Sequence, residues 1–167
     1  ARVLELYEEL LEIEQRLIPT GLHILGLPSG RSEKTDLLKM IAAFDRPEYR
    51  ATALPDLVAQ GLGLSSNEIN DGQQIDSLVK QVIDELLANG VDSAASFLGD
   101  LRVDAKLSRP MLELLSSVSK SLDTNHELDS LVRALRGEFI EAGPGADIVQ
   151  NPGILPTGRN THAINPY

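Results

Sequence analysis

Ile75-Asp76-Ser77-Leu78-Val79-Lys80-Gln81-Val82-Ile83-Asp84-Glu85-Leu86-Leu87-Ala88-Asn89-Gly90 is the stretch whose reading decides the fold class. Ile75, Leu78, Val79, Val82, Ile83, Leu86 and Leu87 recur at the three- and four-residue spacing that lines one face of an α-helix. The intervening Asp76, Lys80, Asp84 and Glu85 fill the other face. Asn89-Gly90 then supplies a left-handed stop.

The same pattern repeats outward in both directions. Val3, Leu6, Leu10, Ile13 and Leu17 are spaced 3-4-3-4 among Glu5, Glu8, Glu9, Glu12 and Glu14, which predicts an acidic amphipathic helix. Pro19 and Gly21 end it, and Leu22-His23-Ile24-Leu25 reads as extended. Ser32 is placed to cap a helix through Leu37, Leu38, Met40, Ile41 and Phe44 that Pro47 stops near Arg46. A shorter helix is expected at Leu54 to Gln60. Ser65 and Glu68 have capping-box spacing, but Asn70-Asp71-Gly72 leaves room for a single turn. A weaker helical pattern covers Ser93 to Leu101, and a stronger one from Ser108 aligns Met111, Leu115, Val118 and Leu122. Thr124 and Glu127 open a last helix with Leu128, Leu131, Val132 and Leu135 on one face and Gly137 as its end signal.

Beyond Gly137 the character changes. Pro144, Pro152, Pro156 and Pro166 alternate with Gly143, Gly145, Gly153 and Gly158, a density of breakers that no helix survives. Phe139, Ile140, Ile148, Val149, Ile154, Leu155 and Ile164 distinguish this stretch from a low-complexity tail and favour an ordered, extended segment. The expected architecture is all-α: an irregular helical domain over 1–137 and an extended Pro/Gly-rich C-terminal arm over 138–167.

Composition narrows the function. At 167 residues and 42% hydrophobic side chains the chain is sized for one core. The absence of cysteine excludes disulfide scaffolds, thiol nucleophiles and the common zinc and iron–sulfur sites, and fits a reducing compartment, either cytoplasm or an organelle interior. A net charge of −10 repels phosphate backbones and anionic lipid, so nucleic acid is not an expected partner. Apolar runs such as Leu22 to Leu27 fall far short of the ~20 residues of a transmembrane helix. The chain opens on Ala1 already inside a helical pattern, as a piece of a longer polypeptide would.

Gly26-Leu27-Pro28-Ser29-Gly30-Arg31-Ser32 superficially resembles a nucleotide-binding P-loop. It has three residues between its glycines where the phosphate cradle needs four, and Arg31 where the lysine belongs. ATP is therefore not expected to bind here. Gly143-Pro144-Gly145 is no dinucleotide fingerprint, because Ile148 occupies the third glycine position. The three histidines share no helix face, which argues against a His-rich transition-metal site and leaves a hard-cation site of scattered carboxylates open.

The arm carries the most specific signal: Glu138-Phe139-Ile140-Glu141-Ala142-Gly143-Pro144-Gly145-Ala146-Asp147, then Gln150-Asn151-Pro152-Gly153-Ile154-Leu155-Pro156-Thr157-Gly158-Arg159-Asn160-Thr161-His162-Ala163. This resembles the signature of the large, porphyrin-binding (H-type) subunit of magnesium chelatase and of its relative, the large subunit of cobaltochelatase. Glu12-Ile13-Glu14-Gln15-Arg16-Leu17-Ile18-Pro19 with Gly21-Leu22-His23-Ile24-Leu25-Gly26, and Ala42-Ala43-Phe44-Asp45-Arg46-Pro47, look like further segments of the same family. The resemblance covers roughly residues 8–28, 40–47 and 126–166, while only helical character is recognisable between about 50 and 120. Asn160-Thr161-His162-Ala163 and Ile164-Asn165-Pro166 look more like the magnesium branch. The family's large subunit is far longer, so this chain is a portion of it.

The resemblance implies a ligase-type metal chelatase of chlorophyll or bacteriochlorophyll biosynthesis in photosynthesis. Its large subunit binds protoporphyrin IX and is the seat of Mg2+ insertion, with both as substrates, while separate AAA+ ATPase subunits hydrolyse ATP. Partners are then those ATPases, the remainder of the large subunit and the porphyrin. The alternatives are cobalt insertion for cobalamin, or a non-catalytic helical docking domain that would leave an apolar face uncovered. Isolated from its parent, the chain is expected to be inactive. Within this frame His162, Glu141, Asp147 and Glu127 are the candidate proton acceptors or hard ligands, and Arg159, Asn160 and His23 the candidate substrate-binding groups. A guanidinium fork matches a porphyrin propionate. Three of these have a structural alternative: His23 as a packed core histidine, Glu127 as a helix-start residue, and Arg159 as a pin to Glu8 or Glu12.

Overall fold

A computed structural model describes residues 30–64, 69–124, 126–145, 147–156 and 158–162. The expected helix over Val3–Leu17, the extended run with His23 and the Ser65/Glu68 capping box lie outside the described residues. Among those described are six α-helices and one two-stranded ribbon, so the fold is all-α with an extended arm, as expected. No helix among them is long and apolar enough to cross a membrane.

Helix α1 spans Arg31–Ala42. It starts two residues earlier than a Ser32 cap would place it, because Glu33 reaches back to accept the Gly30 N–H at 2.8 Å, fixing Gly30 at the N-cap position. It also stops before Phe44, which is exposed; Arg46 and Ala51 instead exchange backbone hydrogen bonds across a short bridge that encloses a 3-10 turn at Pro47–Tyr49. Helix α2, Leu54–Leu62, carries Pro55 in its first turn, where a missing N–H costs nothing.

Helix α3 runs Ile69–Asn89, and this corrects the sequence reading: Asn70-Asp71-Gly72 lies inside the helix instead of ending a short one. One interior glycine costs only about 1 kcal/mol relative to alanine. The stripe of Ile75, Val79, Val82, Ile83 and Leu86, all buried, outweighs that. Gly90, at φ 87°, turns the chain into α4, Val91–Asp100.

Helix α5, Ala105–Asp123, begins three residues before the expected Ser108. Asp104 Oδ1 accepts the Lys106 N–H at 2.8 Å, and this cap outweighs the hydrogen bond that Pro110 cannot donate in the second turn. Thr124 does not cap α6, Glu127–Leu135, as the spacing suggested. Its hydroxyl donates back to the Lys120 carbonyl at 3.0 Å, finishing α5, and Glu127 becomes the first helical residue. Gly137 ends the segment in the left-handed region, as expected.

Helices α3, α4 and α5 pack in sequence, with α1 laid across α3 and α5 and α2 against both. The fully buried Leu38, Ile41, Leu54, Ile83, Leu98, Met111, Leu112 and Leu115 form the centre of that core. The arm folds back on it: Leu155 belongs to the same buried cluster, and Ile148 and Val149 pack against it. Strand β1, Ala142–Pro144, pairs in parallel with β2, Asn160–His162, in the register Ala142 with Asn160, Gly143 with Thr161 and Pro144 with His162. The loop between them contains a second 3-10 turn, Pro152–Ile154.

Candidate functional site

The parallel register explains why so many small residues sit in the arm. A parallel pair needs a long crossover, and here it is an irregular loop that returns over the first strand. A Cβ on Gly143 would lie 2.8 Å from Arg159 Nε and 2.9 Å from its Cζ, so the guanidinium stem crosses directly over the glycine backbone. Arg159 Nη2 donates to the carbonyls of Ile154 at 2.7 Å and Leu155 at 3.3 Å. This guanidinium therefore braces its own loop.

Gly158 makes the second close approach. Its φ of 89° is left-handed, and a Cβ there would come within 2.7 Å of Glu127 N and His126 C. The arm thus rests on the first turn of α6, where Glu127 is buried to 8% exposure. A carboxylate at this end of a helix is favoured by the unpaired N–H groups of the first turn.

The ribbon collects several of the candidates. Glu141 is exposed and immediately precedes Ala142, the register partner of Asn160, while the backbone of His162 lies opposite Pro144. Glu127 and Arg159 approach through Gly158 and Gly143. Asp147 stands on the returning loop, where Oδ1 accepts the Val149 N–H at 2.7 Å and its carbonyl accepts the Asn151 N–H at 2.8 Å. Its carboxylate is exposed but already engaged in shaping a turn. His23 lies outside the described residues. Among the described residues no group of three or more His, Asp or Glu side chains is arranged to hold a metal ion.

Sequence reasoning missed the group that ties the arm to the helices. Arg46 is buried to 7% exposure and donates from Nη1 to the Gln150 carbonyl at 2.9 Å and from Nη2 to the Val149 carbonyl. Its Nε is buried and has no hydrogen-bond partner among the described residues, and the guanidinium sits 5.8 Å from the centre of the Phe44 ring. The only signal was an arginine between an apolar helix and Pro47, which spacing does not distinguish from a surface charge. The geometry joins two of the stretches that carried the family resemblance, 42–47 and the arm.

Elsewhere, a cleft of about 280 Å³ is lined by Arg31, Ser32, Thr35, Asp36, Lys80 and Asp84 of α1 and α3. Its charges are largely self-paired: Lys80 bonds Asp84 at 2.8 Å, and Thr35 donates to Asp84 at 3.3 Å. The Lys80 ammonium is held above its ordinary range by that carboxylate.

The model of the family described as CobN/Magnesium Chelatase matches residues 1–167. The chloroplastic magnesium-chelatase protein ChlH of Oryza sativa subsp. indica is 30% identical over 201 residues, covering 97% of this chain and 14% of the rice protein. The magnesium-chelatase H protein of Rhodobacter capsulatus is 48% identical over 48 residues, 29% of this chain and 4% of that protein. An uncharacterized protein of Methanocaldococcus jannaschii is 26% identical over 175 residues, 97% of this chain and 13% of its own length. The chain spans about a seventh of the length of the rice relative, and with the family model matched from end to end it belongs to the CobN/magnesium chelatase family.

Proposed function

We propose that this chain is a portion of a chelatase large subunit that binds protoporphyrin IX and carries out ATP-dependent Mg2+ insertion, and that its arm forms part of the insertion site. The observation that carries this reading is the family match along the whole chain, with H-type magnesium-chelatase proteins among the relatives. ATP hydrolysis belongs to AAA+ partner subunits, and the compartment is the cytoplasm or, in a chloroplast lineage, the plastid stroma.

Insertion exchanges two pyrrole protons for one Mg2+, so the site must accept two protons and replace water around a reluctantly dehydrating ion. Glu127, Glu141, Asp147 and His162 are residue types able to accept those protons or to serve as hard ligands. Burial and a helix N-terminus set Glu127 apart from the exposed Glu141 and Asp147. Arg159 uses Nη2 on the loop carbonyls, and its remaining donors, with Asn160, are assigned to a porphyrin propionate. His23 is assigned to the same substrate from its own segment. Ring distortion is work for the partner-driven conformational cycle.

Cobalt insertion into a related macrocycle is the alternative within the same family. The docking reading is favoured by one observation, the exposed apolar side chains Leu128, Leu131, Val132 and Leu135 of α6, and it coexists with the first. The test is a porphyrin fluorescence-quenching titration of the full-length protein beside this chain, at matched salt. Similar affinities place the pocket within these residues, and binding by the full-length protein alone makes the chain one wall of a composite site. Absence of binding by either refutes the porphyrin assignment. In the full-length protein, His162→Ala with unchanged chelation and porphyrin affinity removes His162 from the site.

A further inference from the structure

Helix α6 buries an acid and leaves its apolar stripe in water. Its one buried residue is Glu127, while Leu128, Leu131, Val132 and Leu135, at the i, i+3, i+4, i+7 positions of one face, are 54, 46, 44 and 80% exposed. Phe139, just beyond, is 79% exposed. Such a contiguous apolar stripe marks an interface. We propose that it is the two-fold interface between two copies of this protein, with α6 packed antiparallel against α6 of the second copy.

Charge complementarity selects that occupant. Asp129 and Arg136 are both exposed, and among the described residues neither side chain forms an ion pair. Arg133, the natural i+4 partner of Asp129, is already taken up by Glu138 and the Phe139 carbonyl. At 100° per residue, Asp129 and Arg136 lie two turns apart on the same flank of the stripe, about 100° from its middle. Their midpoint falls between Val132 and Arg133, beside the centre of the run from Leu128 to Leu135. A two-fold axis through that point runs the helices antiparallel and sets each flank opposite itself. Asp129 of each copy then meets Arg136 of the other, so the contact forms twice. The arm does not obstruct this: Gly158 approaches α6 at Glu127, on the opposite flank.

Area agrees with charge. The five apolar residues expose roughly 600 Å² in one copy, so a symmetric pair covers about 1,200 Å² before its flanking charges are counted, the size at which specific interfaces begin. The i, i+3, i+4, i+7 stripe also lets ridges of one α6 fill grooves of the other. The inference gives the docking reading of this helix a definite occupant, and it does not depend on the porphyrin chemistry.

The experiment is sedimentation equilibrium of the full-length protein over a concentration series. A dimer is expected, converted to monomer by Leu131→Asp. Asp129→Arg and Arg136→Asp each turn two attractive contacts into two repulsive ones, so each is expected to weaken self-association on the order of tenfold or more. Mixed together, these two single variants recover the parent affinity, because each supplies the charge the other lacks; a partner other than a second copy predicts no such recovery. Independently, the chain has no cysteine of its own, and Val132→Cys beside the axis is expected to give a disulfide-linked pair under mild oxidation, with none from Glu113→Cys on the exposed face of α5. A parent protein that stays monomeric overturns the proposal, and slow amide exchange at 131–136 in that monomer assigns the face to another part of the large subunit. A dimer that survives Leu131→Asp, or charge variants that do not recover on mixing, overturns it as well. Where a charge variant does not fold, the cross-link decides alone.

Discussion

Replacing Arg46 by methionine keeps the apolar stem and removes the guanidinium, so it isolates the arm's attachment to the helices. Two hydrogen bonds are lost, to the carbonyls of Val149 and Gln150. Bonds to a charged donor are each worth about 1.5–3 kcal/mol net. The carbonyls left behind sit on a loop that can move toward water, which limits the penalty to about 3 kcal/mol for the pair. At 1.4 kcal/mol per tenfold, the docked state loses on the order of 100-fold in population. Amide exchange reads this directly: Asn151, Ile154 and Leu155 donate to Asp147, Asn151 and Pro152, and their exchange is expected to accelerate by about that factor. The α3 and α5 amides are expected to hold. Arg46→Lys, whose single ammonium reaches one carbonyl at a time, falls between. Arm amides that exchange within twofold of the parent protein in Arg46→Met would refute the pin.

Gly61→Ala places a Cβ 2.4 Å from the Leu101 carbonyl oxygen, where backbone must move. A loss of about 1–3 kcal/mol is expected, read as a melting temperature lower by several degrees. Gly158→Ala meets both a left-handed φ of 89° and a 2.7 Å contact with Glu127 N, so it should free the arm to limited proteolysis within 138–162 while the helical melt stays in place. Glu85 is held below the usual carboxylate range, first by the Ser93 hydroxyl at 2.5 Å and then by the Asn89 amide at 2.8 Å. A depressed carboxylate stabilises the fold above its unfolded pKa and loses that contribution as pH falls through the folded value. The stability gap between the parent and Ser93→Ala should therefore be full at neutral pH and close on acidification below about pH 4, in denaturant titrations across that range.

The helices were legible because burial imposes a period on them, and the period survives in Ile75 to Leu87 whatever the chain does elsewhere. Boundaries were less legible, since they turn on competitions that periodicity does not weigh: Asp104 against Pro110, Glu33 against Ser32, and a long buried stripe against Gly72. Thr124 misled for a related reason, because a hydroxyl caps a helix start and closes the preceding helix equally well. The arm's motif pointed to the family, yet its geometry lay beyond reading. Its close approaches pair Gly143 with Arg159 and Gly158 with Glu127, contacts that depend on a parallel register no local pattern encodes. Arg46 was illegible in the same way, its partners lying about a hundred residues along the chain.

The arm poses one question that charge alone does not answer. Arg159 holds the Ile154 and Leu155 carbonyls through Nη2, and this bracing and the recognition of a porphyrin propionate are separable. Gly143→Ala leaves every charge in place but puts a methyl 2.8 Å from Arg159 Nε, forcing the guanidinium off its track. Arg159→Lys keeps the charge, drops the planar fork and leaves Gly143 untouched. If the remaining donors of Arg159 meet a propionate, both variants weaken porphyrin quenching by about tenfold or more, the ~1.5–3 kcal/mol of a charged hydrogen bond. Because the porphyrin is anionic and the chain carries −10, the titrations are compared at one ionic strength, and the preserved charge makes any loss a matter of geometry. If Arg159 only braces the loop, exchange at Ile154 and Leu155 rises in both variants while porphyrin affinity stays at the parent value. That second outcome would move propionate recognition away from Arg159 and leave its guanidinium as a brace of the arm's own loop.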